Sequence, residues 1–242
     1  ITYLRVSVTD RCNFRCVYCM PAEGIVRQEH EKILRYEEIA EIVRVAAEEG
    51  VREVRLTGGE PLVRRDLPEL VRMLATIPGI EDLSLTTNGI LLDRMAEDLA
   101  AAGLTRINVS LDTWKPERFQ RITRGGDFQR VVTGLEIAER VGLRPIKINT
   151  VVMRGVNDDE LEDMARLTLS RPWNVRFIEL MPISNQTPWG AGFPPPETMY
   201  FPIQEMIKRL APLGLEVKEH KIGSGPAREY YLRGGAGSIG FI

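Results

Sequence analysis

Six short runs of this chain alternate apolar with polar residues, and stretches of helical periodicity separate them. The runs are YLRVSV (3–8), EVRLTG (53–58), DLSLTTN (82–88), RINVSLD (106–112), PIKINTVVM (145–153) and VRFIEL (175–180). Helical patterns are predicted over 36–49, 66–76, 92–102, 128–141 and 157–170, with another near 198–211. Strand–helix–strand repeats imply parallel pairing with right-handed crossovers, hence a barrel or a doubly wound sheet. The alternation chooses between them. Parallel strands covered on both faces read as nearly continuous Val, Ile and Leu. Here Leu4, Val6 and Val8 alternate with Arg5 and Ser7, and Ile107, Val109 and Leu111 with Asn108, Ser110 and Asp112. The helices take the apolar face, so the polar face must line something wet or occupied. A closed eight-stranded barrel fills its interior with apolar layers. The expected fold is therefore α/β: a partial, incomplete β/α barrel of about six parallel β-α units, open around a cavity.

After Met181 the character changes. PISNQTPWGAGFPPPET is a Pro- and Gly-rich linker, and LEVKEH, AREYYLRG and GSIGFI read as short strands. The predicted division is a partial barrel over 1–182 and, over 183–242, a linker, a helix and a small C-terminal β extension. Asn157 is predicted to N-cap the 157–170 helix. Gly50, Gly103 and Gly142 fall just past helices, where a left-handed residue is favoured.

Lys and Arg number 32 against 34 Asp and Glu, so no global field points to nucleic acid or an acidic membrane. No apolar run reaches the roughly 18 residues of a spanning helix, and the start does not resemble a signal peptide, although it lacks an initiator Met. All three cysteines of the chain, Cys12, Cys16 and Cys19, lie within TDRCNFRCVYC (9–19). Clustered cysteines without distant partners argue against a disulfide framework and for a reducing, cytoplasmic setting. The loop follows the first strand, at the carboxyl end where barrel active sites are built. Two sites fit C-x3-C-x2-C. A Cys3His zinc site is conceivable with His30, whereas three thiolates on a [4Fe–4S] cluster leave one iron open for a small molecule. The second accounts for the odd count.

The pattern C-x3-C-x2-C, with Tyr18 before the last Cys, resembles the signature of the radical S-adenosylmethionine (radical SAM) superfamily, and GGEP (58–61) matches its second mark. LRVSVTDRCNFRCVYCMP, VRLTGGEPLVRRDL, LSLTTNGILL, RINVSLDT, IKINTVVMRGVND and VRFIELMPI resemble, more closely, the GTP 3′,8-cyclase family of molybdenum cofactor biosynthesis. The resemblance implies that Cys12, Cys16 and Cys19 bind a [4Fe–4S] cluster with one open iron, the catalytic and metal centre. It implies that Tyr18, Gly59, Ser110 and Met181 contact SAM, the glycines of GGEP admitting its amino group and Glu60 shaping the turn. Arg5, Arg55, Thr86 and Lys147 match positions that contact GTP. They also lie on the polar strand faces, where three buried cations around a triphosphate are sensible and ion pairs with Asp112 or Glu179 are the plainer alternative. Implied partners are GTP, an external electron donor and a second copy of the chain, with no nucleic acid or membrane.

The family also carries a second [4Fe–4S] cluster on C-terminal cysteines, absent from these residues. Were Ile242 the end of the whole molecule, the protein would be expected to bind SAM without cyclising GTP efficiently. Another radical SAM enzyme, such as a peptide maturase, and a non-catalytic zinc or iron–sulphur module are the competing readings. Arg64, Arg65 and Asp66 read as a solvated turn, TRGGDF (123–128) as a plain loop, and Trp114, Trp173 and Trp189 as scattered. The two histidines, His30 and His220, have no evident partner.

Overall fold

The structure, a computed structural model, describes residues 1–26, 28–181, 192–217 and 228–242. Along the chain these form β1 (Tyr3–Ser7), α1 (Tyr36–Glu48), β2 (Glu53–Thr57), α2 (Leu67–Ala75), β3 (Asp82–Thr87), α3 (Leu92–Ala101), β4 (Arg106–Ser110), α4 (Pro116–Thr123), α5 (Phe128–Arg140), β5 (Ile146–Val152), α6 (Leu161–Ser170), β6 (Asn174–Glu179), α7 (Ile203–Leu210), β7 (Leu215–Val217), β8 (Arg228–Leu232) and β9 (Ser238–Phe241). All six predicted strands are present within a residue or two. Trp189, His220, most of the Pro- and Gly-rich linker and the end of LEVKEH lie outside the described residues.

The chain divides into two compact units. The first holds Ile1–Asn13, Ile25–Val109 and Asp127–Ile146; the second holds Phe14–Gly24, Ser110–Gly126 and Lys147–Ile242. In the first, β1 to β4 run parallel in sequential order. Register puts Arg5, Arg55, Ser84 and Arg106 abreast on one face. The opposite face carries Val54, Leu56, Leu83, Leu85, Ile107 and Val109, all buried. Helices supply the cover: Ile39 and Val43 of α1, Leu70 and Leu74 of α2, Leu92 and Leu99 of α3, and Val131 and Leu135 of α5 are buried at helical spacing. Each such aliphatic side chain contributes roughly 1.5–3 kcal/mol. Gly50, Gly103 and Gly142 follow α1, α3 and α5 with φ of 100°, 104° and 86°, as the sequence predicts.

In the second unit β5 and β6 are parallel, β9 joins β6 in parallel, and β8 and β7 follow antiparallel. The C-terminal strands thus extend a parallel sheet. Three sequence expectations need correction here. The helix near 198–211 is shorter: α7 covers 203–210, with 3-10 turns at Pro196–Thr198 and Ala211–Leu213. Asn157 precedes a 3-10 turn (Asp158–Glu160) but its side chain caps nothing. Its Nδ2 donates instead to the carbonyls of Asp112 (2.6 Å) and Val151 (2.8 Å), and its Oδ1 accepts from Met153 N (2.7 Å). Trp114 and Trp173 are not scattered; their rings meet at 6.1 Å.

Candidate functional site

The cysteine loop is held at both ends, and the two GGEP glycines explain the first hold. Gly59 N donates to Thr9 O (2.8 Å) and Glu60 N to Arg11 O (2.7 Å). A Cβ at Gly59 would stand 2.3 Å from Arg11 O; one at Gly58, whose φ is 147°, would stand 2.4 Å from Thr9 O. Both distances are far inside van der Waals contact, so only glycine lets this backbone approach occur. The sequence reading gave these glycines to a bound ligand. The structure gives them, in addition, the backbone that leads into Cys12.

Glu60 is 1% exposed, and its carboxylate accepts from Leu62 N (3.0 Å), Thr87 Oγ1 (2.7 Å) and Asn88 N (2.6 Å). Burial raises its pKa, and these three donors oppose the rise. It therefore shapes its own turn and also clips the end of β3. Asn88 continues the chain of contacts: its Nδ2 donates to Asn13 Oδ1 (2.8 Å) and lies 4.0 Å from Cys12 Sγ.

The second hold comes from α4, which the sequence reading missed. Arg15 N donates to Thr123 O (3.1 Å) and Val17 N to Ile122 O (3.0 Å). Phe14 packs edge-on against Phe119, ring centroids 5.8 Å apart. Arg124, left-handed at φ 55°, donates through Nη1 to the carbonyls of Arg15 and Met20, both at 2.9 Å. TRGGDF is thus no plain loop, because its arginine closes over the segment carrying Cys16 and Cys19. Those two share one turn, with Cys19 N donating to Cys16 O at 3.0 Å. Pro116 at the first helical position was the available signal for α4.

Tyr18, between the two cysteines, donates its hydroxyl to Asp112 Oδ2 (2.7 Å), whose Oδ1 accepts from Val151 N (2.9 Å). Burial pushes the Asp112 carboxyl up to about 6 against the pull of these donors, and burial followed by the Asp112 charge raises the Tyr18 phenol. Asp112 is therefore spoken for, as is Glu179, which accepts from Ile203 N (2.7 Å).

Of the residues matched to GTP contacts, Arg5, Arg55 and Thr86 lie on the polar face of the first unit; Lys147 lies on β5 and belongs to the second. Among those matched to SAM, Gly59 belongs to the first unit and Tyr18, Ser110 and Met181 to the second. Met181 is exposed. The expectation of buried cations is corrected: Arg5 is exposed, and Arg55 and Lys147 are half-buried. Arg5 has a neighbour on one side, β2, which leaves its flank uncovered. Arg55 reaches Ser84 Oγ at 3.4 Å and lies over the Tyr3 ring at 5.1 Å. Desolvation lowers its pKa, and Arg106 and Arg5 add to that. Asn108 and Asn149, on the same polar faces, each keep a buried Oδ1 with no donor among the described residues. The alternating pattern had exposed both, but assigned them nothing.

Arg64 corrects another reading. It is no solvated turn residue: it donates to Val8 O (2.7 Å) and Leu34 O (2.6 Å) and covers the Tyr36 ring at 4.2 Å. Among the described residues no three His, Cys, Asp or Glu side chains converge on a single metal ion. A cubane cluster needs no convergence on one ion, since each thiolate takes a different iron, and three cysteines outside any disulfide suit its open-iron form.

Comparison with known proteins identifies the family. Residues 6–168 match the model of the radical SAM superfamily. The chain is similar over its whole length to a GTP 3′,8-cyclase of Pelotomaculum thermopropionicum, 52% identical and spanning 73% of that protein. It is 51% identical to a GTP 3′,8-cyclase of Moorella thermoacetica, again over the whole chain and 73% of the relative. Among solved structures it resembles TYW1 with a lysine-pyruvate adduct bound, with a TM-score of 0.62 at 17% identity over 92% of this chain and 77% of that one. Methylornithine synthase gives 0.62 at 19% identity, over 81% of this chain and 57% of that one. These likenesses fix the fold as the partial β/α barrel: an open, mostly parallel sheet of alternating strands and helices. Membership implies a [4Fe–4S] cluster and SAM as cofactors. The chain belongs to the radical SAM superfamily and, within it, to the GTP 3′,8-cyclase family.

Proposed function

We propose that this chain catalyses the reaction for which its relatives are named, the conversion of GTP to 3′,8-cyclo-7,8-dihydro-GTP that opens molybdenum cofactor biosynthesis. The observation that carries the reading is the seating of the cysteine loop on Gly58 and Gly59, in a chain 52% identical throughout to a GTP 3′,8-cyclase. Cys12, Cys16 and Cys19 hold the cluster; Tyr18, Gly59, Ser110 and Met181 bind SAM. A bound cluster and SAM would supply the removal of the ribose C3′ hydrogen that lets C3′ bond to guanine C8, with an electron and a proton completing the dihydro product. The chain's own residues bind and orient. Arg5, Arg55 and Lys147 neutralise the triphosphate, and Thr86 fixes the nucleoside. Arg55 is the best supported of these. It is half-buried on the polar strand face beside Ser84 Oγ at 3.4 Å and the Tyr3 ring, and burial disfavours its charge unless an anion comes near. An external donor supplies the electrons, and a second [4Fe–4S] cluster, a second copy of the chain and a cytoplasmic setting belong to the same reading.

The test is anaerobic reconstitution. We expect about four irons and four sulphides at the three cysteines, and release of 5′-deoxyadenosine that depends on GTP. A zinc-loaded protein, or release indifferent to GTP but stimulated by a peptide, overturns the proposal.

A further inference from the structure

We infer that Asn88 is a positioning residue for the cluster: its side-chain amide donates to the Cys12 sulphur and raises the potential at which the cluster accepts an electron. The inference rests on the cluster reading above and adds a residue that neither the cysteine motif nor GGEP contains.

Three contacts determine where the Asn88 amide points. Its backbone N–H donates to Glu60 Oε2 at 2.6 Å, which anchors the residue. Its Oδ1 accepts from Ile90 N at 3.1 Å. With the oxygen so engaged, the NH2 end must face the other way. There it meets Asn13 Oδ1 at 2.8 Å with one proton and Cys12 Sγ, at 4.0 Å, with the other. That last distance is the outer reach of an amide–sulphur hydrogen bond. A thiolate carrying cluster charge is a stronger acceptor than a neutral thiol and favours such a donor.

The chemistry follows from charge. A one-electron reduction by the external donor adds negative charge to the cluster and its thiolates. A donor aimed at a ligating sulphur stabilises the reduced form more than the oxidised one. Hydrogen bonds to the sulphurs are among the factors that set these potentials. The same contacts give GGEP a second use. Glu60 holds the Asn88 backbone, so the motif that carries the cysteine loop also aims the donor at its first sulphur.

The experiment is an EPR-monitored reductive titration of the anaerobically reconstituted protein, following the signal that changes when SAM is added. Asn88→Asp retains the Oδ1 that Ile90 bonds, so the turn survives, and it exchanges the donor for an acceptor. Asn88→Ala removes the donor without adding charge. For Asn88→Ala we expect the reduced-to-oxidised ratio at a fixed potential to fall about three- to tenfold, the tenfold limit being 59 mV for a one-electron couple. Asn88→Asp should fall further. Unchanged potentials in both iron-loaded variants overturn the inference and leave the cluster reading intact. A wild-type protein that takes up no iron on its cysteines overturns both.

Discussion

Two glutamates, one in each unit, are buried to the same 1% exposure and tie down a loop at the end of a strand, yet their charges are balanced differently. Glu60 clips the end of β3 through Thr87 and Asn88, with three neutral donors and, among the described residues, no cation paired with it. Glu160 clips the segment after β4 through Thr113 Oγ1 (2.6 Å) and Trp114 N (2.9 Å), and it also pairs with Arg118. Arg118 in turn bonds Asp159, whose carboxyl its hydrogen bond holds down to about 2. The lesson is that a buried carboxylate can be held by dipoles alone when it must aim backbone and amide groups. A cation is needed where the task is only to pin a helix to a loop. An arginine beside Glu60 would compete with Asn88 and Thr87 for its oxygens.

Breaking the dipole-held glutamate should cost most. Glu60→Ala strands three donors beneath the cysteine loop, and we expect a loss of about 3–5 kcal/mol in urea unfolding, with poor iron uptake. A loss under about 1 kcal/mol would mean that the clip is dispensable.

Next is the pH dependence of the metal-free chain, where Asp112 offers a third case held by dipoles. Its folded pKa of about 6 exceeds the ordinary 3.8, so the folded state binds more protons between those values. Stability from this group then falls as pH rises from about 4 to 6 and is level above, by about 3 kcal/mol at most. Asp112→Asn should flatten that segment of a stability-against-pH curve; an unchanged slope would show that Asp112 does not titrate there.

Arg118→Met turns Glu160 into a second Glu60. Because the arginine side chain is 22% exposed, the cost is discounted to about 2 kcal/mol, read in urea unfolding. The smallest effect belongs to Lys115→Ala. Its contact with Asp159 is about half exposed on both sides, so thermal unfolding should report less than about 0.5 kcal/mol. A larger loss would mean that the exposed Lys115–Asp159 pair, and not Arg118 alone, holds this loop.

What could be seen in the sequence divides along physical lines. The β1 to β6 alternation was legible because a half-buried strand writes its two faces into adjacent residues. Helix α4 was not, because it is a single short amphipathic stretch whose inward stripe is Phe119, Ile122 and Thr123. Nor were Asn88 and Arg124 legible. Their contacts with the cysteine loop span 76 residues to Cys12 and 109 to Arg15, and no local pattern encodes a partner at such separation. The cysteines and GGEP announced themselves by composition. That they touch through backbone at Thr9 and Arg11 was invisible, because the glycines contribute no side chain to the contact.

That touch has a consequence for how the protein acquires its metal. A loop that must be ordered by iron loses chain entropy at the moment of loading, and uptake slows accordingly. Here the approach to Cys12 is seated on Gly58 and Gly59, and the turn of Cys16 and Cys19 is closed by Arg124. Because these contacts are made by backbone and by an arginine and not by the thiolates, the polypeptide itself carries part of the cost of ordering the loop, and less of that cost falls on metal binding.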